Sequence, residues 1–513
     1  MIPQVISYPI NGGGINDTPN PSTPFDTQCK DAYNVYFKKS EGNPGKYVSI
    51  HQRTGIQKVN SSALGGKVLS IYFSNINKID YTTVFCSNRS LYDFDVLTGD
   101  FTEVMTDLNT SVLPSFAILN NKLFMTNPID GLYYTHDNIT WLSVESVNVP
   151  TGLIAIAQYD GKLFGVTRDT IYWSTILDGT DWSNAPNNAT AGNGTCVGLE
   201  TLGSKLFIFK LEGVDYLKYS GSSIIPYIRQ SVQSLKGCVS KETIRKVRIE
   251  NVQNGIETSG DYIMFQSEKS LEALPEYGVS FTVSKPVKET FDEASLQGLK
   301  NSFAVFHSKR NQYILAYPEG NRDVSDRQLV FHSDMNSYSK YGISNLTSSC
   351  EVKNHKTKFL VFGDADGFIH KFDYSIYDDE SLYNDNDAAY TALFETHFKA
   401  MNDKFTYAQL MYTYVVSEEK FSSSPISIEV MDEFKNTVTG SVDPVLATTS
   451  VYDTAIANAS SYFASTNAFT IKKAKTGFYA RNMKFKFQNT TVNKSMKIFS
   501  WGAEVINTDV RGY

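Results

Sequence analysis

Cysteine is scarce and scattered in this 513-residue chain. The five, Cys29, Cys86, Cys196, Cys238 and Cys350, are odd in number and include no Cys-x-x-Cys pair. Neither a disulfide framework nor a zinc site fits that spacing; it reads as buried free thiols in a protein made in the cytosol. Long apolar runs are missing, and none approaches the ~18 residues of a membrane span. The opening Met1-Ile2-Pro3-Gln4-Val5 has neither the basic region nor the apolar core of a signal peptide. Positive charge is in deficit. Lys plus Arg number 47 against 54 Asp plus Glu, a net charge of −7. That removes the electrostatic footprint of a general nucleic-acid binder. It does not exclude a protein that lets DNA pass without gripping it.

The usual signatures of chemistry are missing as well. The seven histidines (His51, His136, His307, His332, His355, His370 and His397) show no metal-binding or catalytic spacing. No Gly-x-Ser-x-Gly elbow occurs, nor a glycine loop leading to Lys-Ser/Thr. Gly12-Gly13-Gly14 precedes no helical pattern, so it marks flexibility or a tight turn. The sequence therefore predicts no catalytic residue, no metal site and no cofactor.

Aromatic residues are abundant. Tyr (31) and Phe (32) together outnumber Lys plus Arg, a bias toward strands joined by Asn-, Ser- and Thr-rich turns. An internal repeat gives them order. Lys122-Leu123-Phe124 recurs as Lys162-Leu163-Phe164 and Lys205-Leu206-Phe207, at spacings of 40 and 43 residues. Each triplet follows a small turn (Asn120-Asn121, Asp160-Gly161, Gly203-Ser204) and leads to an aromatic strand such as Ile171-Tyr172-Trp173. Weaker copies begin near Thr82, Tyr262, Tyr313 and Phe359, giving seven hairpins over about residues 65–375. A hairpin cannot bury both faces alone, and stacking copies radially every ~40–50 residues is the β-propeller solution.

The ends do not repeat. The expected organisation is an extended N-terminal arm and first strands at 1–60, a six- or seven-bladed propeller at 61–377, an acidic linker at 378–390 and a C-terminal β-sandwich at 391–513. The linker carries Asp378, Asp379, Glu380, Asp385 and Asp387. Alternation at Met483-Lys484-Phe485-Lys486-Phe487 puts the apolar residues on one face and both lysines on the other. Asp292 to Leu299 reads as a short inserted helix with an acidic start. Asn60, Asn138 and Asn193 stand in Asn-x-Ser/Thr sequons that a composition rich in these residues produces by chance.

Four segments invite a functional reading. Thr135-His136-Asp137-Asn138-Ile139-Thr140-Trp141 resembles the Asp-box turn of sialidase-like propellers, as does Ser174 to Trp182 around Asp178. That motif is structural: Asp accepts backbone N–H bonds and Trp packs between strands. A sialidase would need an arginine cluster and a Tyr/Glu pair, which no spacing singles out. Asp364-Ala365-Asp366-Gly367 is a fragment of a calcium loop, but too few oxygen ligands follow, so a hairpin turn is expected. Lys472, Lys473 and Lys475 read as a solvated loop, or as a contact to an acidic partner.

The N-terminal segment resembles a known family. Gly13-Gly14-Ile15-Asn16, Pro21, Gln28-Cys29-Lys30-Asp31-Ala32-Tyr33-Asn34-Val35 and Arg53-Thr54-Gly55 are similar to the opening of tail hub and nozzle proteins of short-tailed bacteriophages. So are Ile171-Tyr172-Trp173-Ser174, the Asp178-Gly179-Thr180-Asp181-Trp182 turn, Gly213-Val214-Asp215-Tyr216-Leu217 and Gly477-Phe478-Tyr479-Ala480-Arg481. The resemblance implies a structural virion protein made in the host cytoplasm. It implies a homo-hexameric ring below the portal and adaptor, closing or extending the DNA exit channel and docking other tail proteins or fibres. DNA would pass without specific binding, and no membrane span is implied. A β-propeller glycoside-binding protein or hydrolase is the rival, and a monomeric protein-binding scaffold a third reading.

Overall fold

A computed structural model describes residues 4–9, 14–16, 28–39, 48–146, 148–183, 187–232, 236–253, 256–277, 279–292, 294–354, 357–372, 383–400, 408–418, 423–444 and 469–507. Almost all regular structure is β. The chain forms two compact units: residues 56–336 with 342–376, and residues 1–55 with 337–341 and 377–513.

The first of these holds the repeat. Consecutive antiparallel sheets begin with Val68–Ile76, Ser115–Leu119, Ala155–Tyr159, Cys196–Leu202, Arg245–Gln253, Phe303–His307 and Leu346–Asn354. Neighbouring sheets meet chiefly through these inner strands, and Leu346–Asn354 returns to lie beside Val68–Ile76. That closed circle is a β-propeller. Each hairpin read from the sequence supplies the second and third strands of its sheet, as Lys162–Val166 and Thr170–Trp173 do in the third. The fourth strand of the last sheet is Ile56–Lys58, the beginning of this unit, paired with Ile369–Phe372 at its end. The ring is thus closed by joining both ends of its own stretch of chain.

The turns explain the repeat. Asn120 and Asn121 have φ of 48° and 58°, Asp160 and Gly161 of 49° and 69°. Two successive left-handed residues form the tight turn whose twist matches a hairpin, and Asn, Asp and Gly tolerate it best. The next residue is the lysine of the triplet, and the one after points inward. Leu123, Leu163 and Leu206 are each fully buried at the second position of a second strand. Burial of such a side chain stabilises by about 1.5–3 kcal/mol. The lysines rest over rings: Lys122 over Tyr134, Lys162 over Tyr227, Lys205 over Tyr216 and Tyr277. The charged heads thereby lie against ring faces; Lys205 is itself buried, and desolvation lowers its ammonium.

The core is a series of clusters between adjacent sheets. Trp182 is fully buried with Phe124 and Leu163 between the second and third. Phe164, Trp173 and Tyr227 pack edge to face between the third and fourth. The insertion after the fifth sheet forms two short helices, Lys288–Asp292 and Leu296–Lys300. The second is capped by Ser295, whose Oγ accepts from the Gly298 N–H. The single helix expected from Asp292 is therefore interrupted: Asp292 ends the first helix and Ser295 caps the second.

The other unit has two sheets. One runs Val35–Lys39, Val48–Gln52, Lys497–Asn507, Ala408–Glu418, Phe469–Ala480, with Gln4–Pro9 also pairing Lys497–Asn507. The other runs Ser337–Tyr341, Cys29–Tyr33, Ala392–Thr396, Asn482–Asn489, Ile426–Asp432, Thr437–Val442. Phe485 and Phe487 of the second meet Trp501 of the first, with ring centroids 4.6 and 5.6 Å apart. The predicted alternation holds here: Met483, Phe485 and Phe487 are fully buried, while Lys484 and Lys486 pair with Glu395 and Glu429. The segments expected as a separate arm and a separate C-terminal domain belong to one compact unit. Its first strands begin at Gln4, and Gly14 to Asn16 are built into its interior.

Candidate functional site

The residues singled out by sequence are placed in turns. Asp137 Oδ1 accepts from the N–H groups of Thr140 (2.8 Å) and Ile139 (3.0 Å) and from Thr135 Oγ1 (3.0 Å). These bonds, that of Thr140 foremost, hold its carboxyl below the usual range. Asp178 Oδ1 accepts from Thr180 Oγ1 and Thr180 N, with the same effect on its carboxyl. Both groups are held ionised, which suits a turn brace and not a general acid. Trp182 donates to the Gly179 carbonyl (3.0 Å) inside the core.

Asp364 accepts from Asp366 N and Phe368 N, and its Oδ2 lies 2.8 Å from His370 Nε2. Burial pushes this carboxyl up, but the His370 bond and the turn N–H groups outweigh it and leave it below its ordinary value. It is a hairpin brace, and among the described residues no group of acidic, His or Cys side chains could hold a metal ion. Lys472, Lys473 and Lys475 lie within the strand Phe469–Ala480, not in a loop, because Ala474 and Thr476 alternate into the interior between them. Lys473 sits 4.4 Å over the Tyr412 ring. Asn60 and Asn138 of the sequons are buried structural residues. All five thiols are unpaired; Cys29, Cys86, Cys196 and Cys238 are buried, and burial pushes Cys196 and Cys350 up to about 11. Asp378, Asp379, Glu380, His355, Gly12, Gly13 and Pro21 lie outside the described residues.

What sequence reasoning missed is the bore of the propeller. The inner strands surround a cavity of about 520 Å³, within the range of small-molecule sites. One wall is aromatic: Tyr72 and Phe116 stack with centroids 4.9 Å apart. The opposite wall is ionic. Glu200 lies 3.1 Å from Lys246, and Arg245 3.6 Å from Glu242. Half-buried Lys241 donates to the carbonyls of Leu113 (2.5 Å) and Ile154 (3.3 Å), and desolvation lowers its ammonium. With Glu351, the lining has three carboxylates and three cationic side chains. These residues come from sheets distant in sequence, so no local motif announces them.

A second convergence lies in the other unit. Arg53 is fully buried and bonds Asp385 through both terminal nitrogens, at 2.9 and 2.6 Å. Its Nε donates to Asn34 Oδ1, and its guanidinium stacks 4.0 Å from the Tyr390 ring. Asn34 is left-handed (φ 55°) and donates through Nδ2 to the Thr391 carbonyl. Gly14 has φ of 66°, and a Cβ there would lie 2.4 Å from Tyr338 N. Asp385 is thus an internal ion partner and not part of a solvated linker.

The chain matches no protein-family model and no curated protein. Among solved structures it is similar to the computationally designed Ika8 protein, at 11% identity and TM-score 0.34, covering 62% of this chain and 99% of that one. The WD40 β-propeller domain of Doa1 gives 11%, 0.39, 63% and 98%. BBS1N, solved in complex with ARL6DN, gives 11%, 0.40, 63% and 98%. The fold rests on the sheets and their circular order, not on these likenesses. No helix among the described residues is long and apolar enough to cross a membrane.

Proposed function

We propose that this chain is a structural virion protein of a short-tailed bacteriophage, a tail hub or nozzle subunit. It assembles as a homo-hexameric ring below portal and adaptor, closes or extends the DNA exit channel and docks other tail proteins or fibres. In this reading the propeller has seven blades and the second unit is a β-sandwich. One observation carries it. The segments of the family resemblance, Gly14 to Asn16, Gln28 to Val35 and Arg53 to Gly55, are drawn into one buried network. Ile15 N donates to the Tyr338 carbonyl, Asn16 N to the Cys29 carbonyl, and Arg53 N to the Asn34 carbonyl. A Cβ on Gly55 would lie 1.6 Å from the Asn384 carbonyl oxygen. Residues so mutually dependent would be retained together, which supports reading the three segments as one signature.

The reading is non-enzymatic. Asp137 and Asp178, the carboxylates a hydrolase would draw on, brace turns. DNA passes along the axis of the ring and not through the bore, whose volume suits a small ligand. A net charge of −7 suits a wall that duplex slides past, since cationic contacts supply most non-specific affinity. Native mass spectrometry tests it, together with copy number in purified particles. The expected result is a species of six 57.3 kDa chains and six copies per tail. A monomer at micromolar concentration that is also absent from tails would overturn the reading.

A further inference from the structure

We propose that the bore of the propeller is a binding site for a neutral saccharide. This rests on the cavity alone and is independent of the tail assignment. Its walls differ in kind. Tyr72 and Phe116 present stacked rings, and a sugar ring has an apolar C–H face that lies flat on such a surface. Across from them Glu200, Arg245 and Lys246 alternate acceptor and donors. Glu200 and Lys246 are partly exposed, at 29% and 51% of the side chain, so both keep hydrogen-bonding capacity toward the cavity. A carboxylate accepts from adjacent hydroxyls, while a guanidinium and an ammonium donate to hydroxyl or ring oxygens.

Charge selects the class. The three carboxylates and three cations of the lining cancel, so neither an anion nor a cation is favoured. A ligand rich in both donors and acceptors and without net charge satisfies such a wall. Ser349, which is buried and lines the same cavity, has an Oγ with no hydrogen-bond partner. That hydroxyl is sealed from the cavity, so the polar contacts offered to a ligand are those of Glu200, Arg245 and Lys246. The site is also pre-formed, because Lys241 ties the carbonyls of Leu113 and Ile154 at the rim. A volume of about 520 Å³ accommodates one or two sugar rings.

The test is titration calorimetry on the full chain with D-glucose, D-galactose and N-acetyl-D-glucosamine, and with adenosine and guanosine in parallel. Saturable binding of at least one sugar is expected. Tyr72→Ala and Glu200→Gln should each weaken it about tenfold or more, with circular dichroism showing the fold intact. Glu200→Gln is isosteric, and Tyr72→Leu stands in should Tyr72→Ala not fold. No saturable sugar binding would overturn the proposal. So would nucleoside binding without sugar binding, or variants that bind sugar as the parent does.

Discussion

His332 is fully buried on the sixth sheet, with Gln312 Nε2 3.5 Å from its Nδ1. Burial, and then the nearby Arg310 charge, lower its imidazolium from 6.5 to about 3. Between those values the unfolded chain takes up a proton that the folded chain refuses. Stability is therefore whole above pH 6.5 and declines as pH falls toward 3. Between pH 7 and pH 5 this one group should cost about 2 kcal/mol. His332→Gln has no proton to refuse. Urea unfolding at the two pH values should show a smaller loss for the variant than for the parent, whatever its starting stability. Equal losses would mean that His332 takes its proton in the folded state. The sequence displayed seven histidines without metal or catalytic spacing, and that much was legible. The burial of His51, His307, His332 and His370 was not, because it is decided by strands far away in the chain.

At the scale of elements, legibility follows the range of the interaction. The Lys-Leu-Phe hairpins could be read because turn chemistry and alternation act within about ten residues. Asn120-Asn121 and Asp160-Gly161 declare their own turns. The closing strand Ile56–Lys58 could not be read, since its partner Ile369–Phe372 lies some three hundred residues on. The bore stayed hidden for the same reason. Asn60 shows how such a closure is secured. Its Oδ1 accepts from Ile369 N (2.8 Å), and its Nδ2 donates to the carbonyls of Gly367 (3.1 Å) and Ser62 (2.7 Å). Beside it Val59 N donates to the Ile369 carbonyl. Asn60→Ala would orphan the buried Ile369 N–H, at roughly 1–3 kcal/mol, while the Gly367 carbonyl keeps the Leu64 N–H. Asn60→Asp keeps the acceptor for Ile369 N but turns a buried carboxylate oxygen toward the Ser62 and Gly367 carbonyls, so near neutral pH it should lose at least as much as the Ala variant. Chemical denaturation ranks the three, and an Ala variant as stable as the parent would show that the clamp contributes nothing to closure.

For the whole molecule, the chain path sets what can be removed. The unit that holds both termini is assembled from residues at its two ends and from 337–341. The propeller unit, by contrast, closes on its own Ile56–Lys58. A chain beginning at Asp17 loses the strand Gln4–Pro9, which pairs along Val505 to Ser500, and the fully buried Ile15. Stripping a paired strand exposes a ladder edge and opens a cavity where Ile15 stood. A Gly-rich stretch holds its shape when neighbours supply its hydrogen bonds, as Tyr338 and Cys29 do for Gly14 to Asn16. Calorimetry of the truncated chain should show one transition lowered by several degrees and another, that of the propeller, unchanged. Limited proteolysis should then leave a resistant fragment covering about residues 56–376. A chain beginning at Asn60 should lose the propeller transition too, since the last sheet then lacks its fourth strand. If the first truncation moves all unfolding together, the two units melt as one. If it moves nothing, Gln4–Pro9 and Ile15 add no stability, and the resemblance around Gly14 owes nothing to folding.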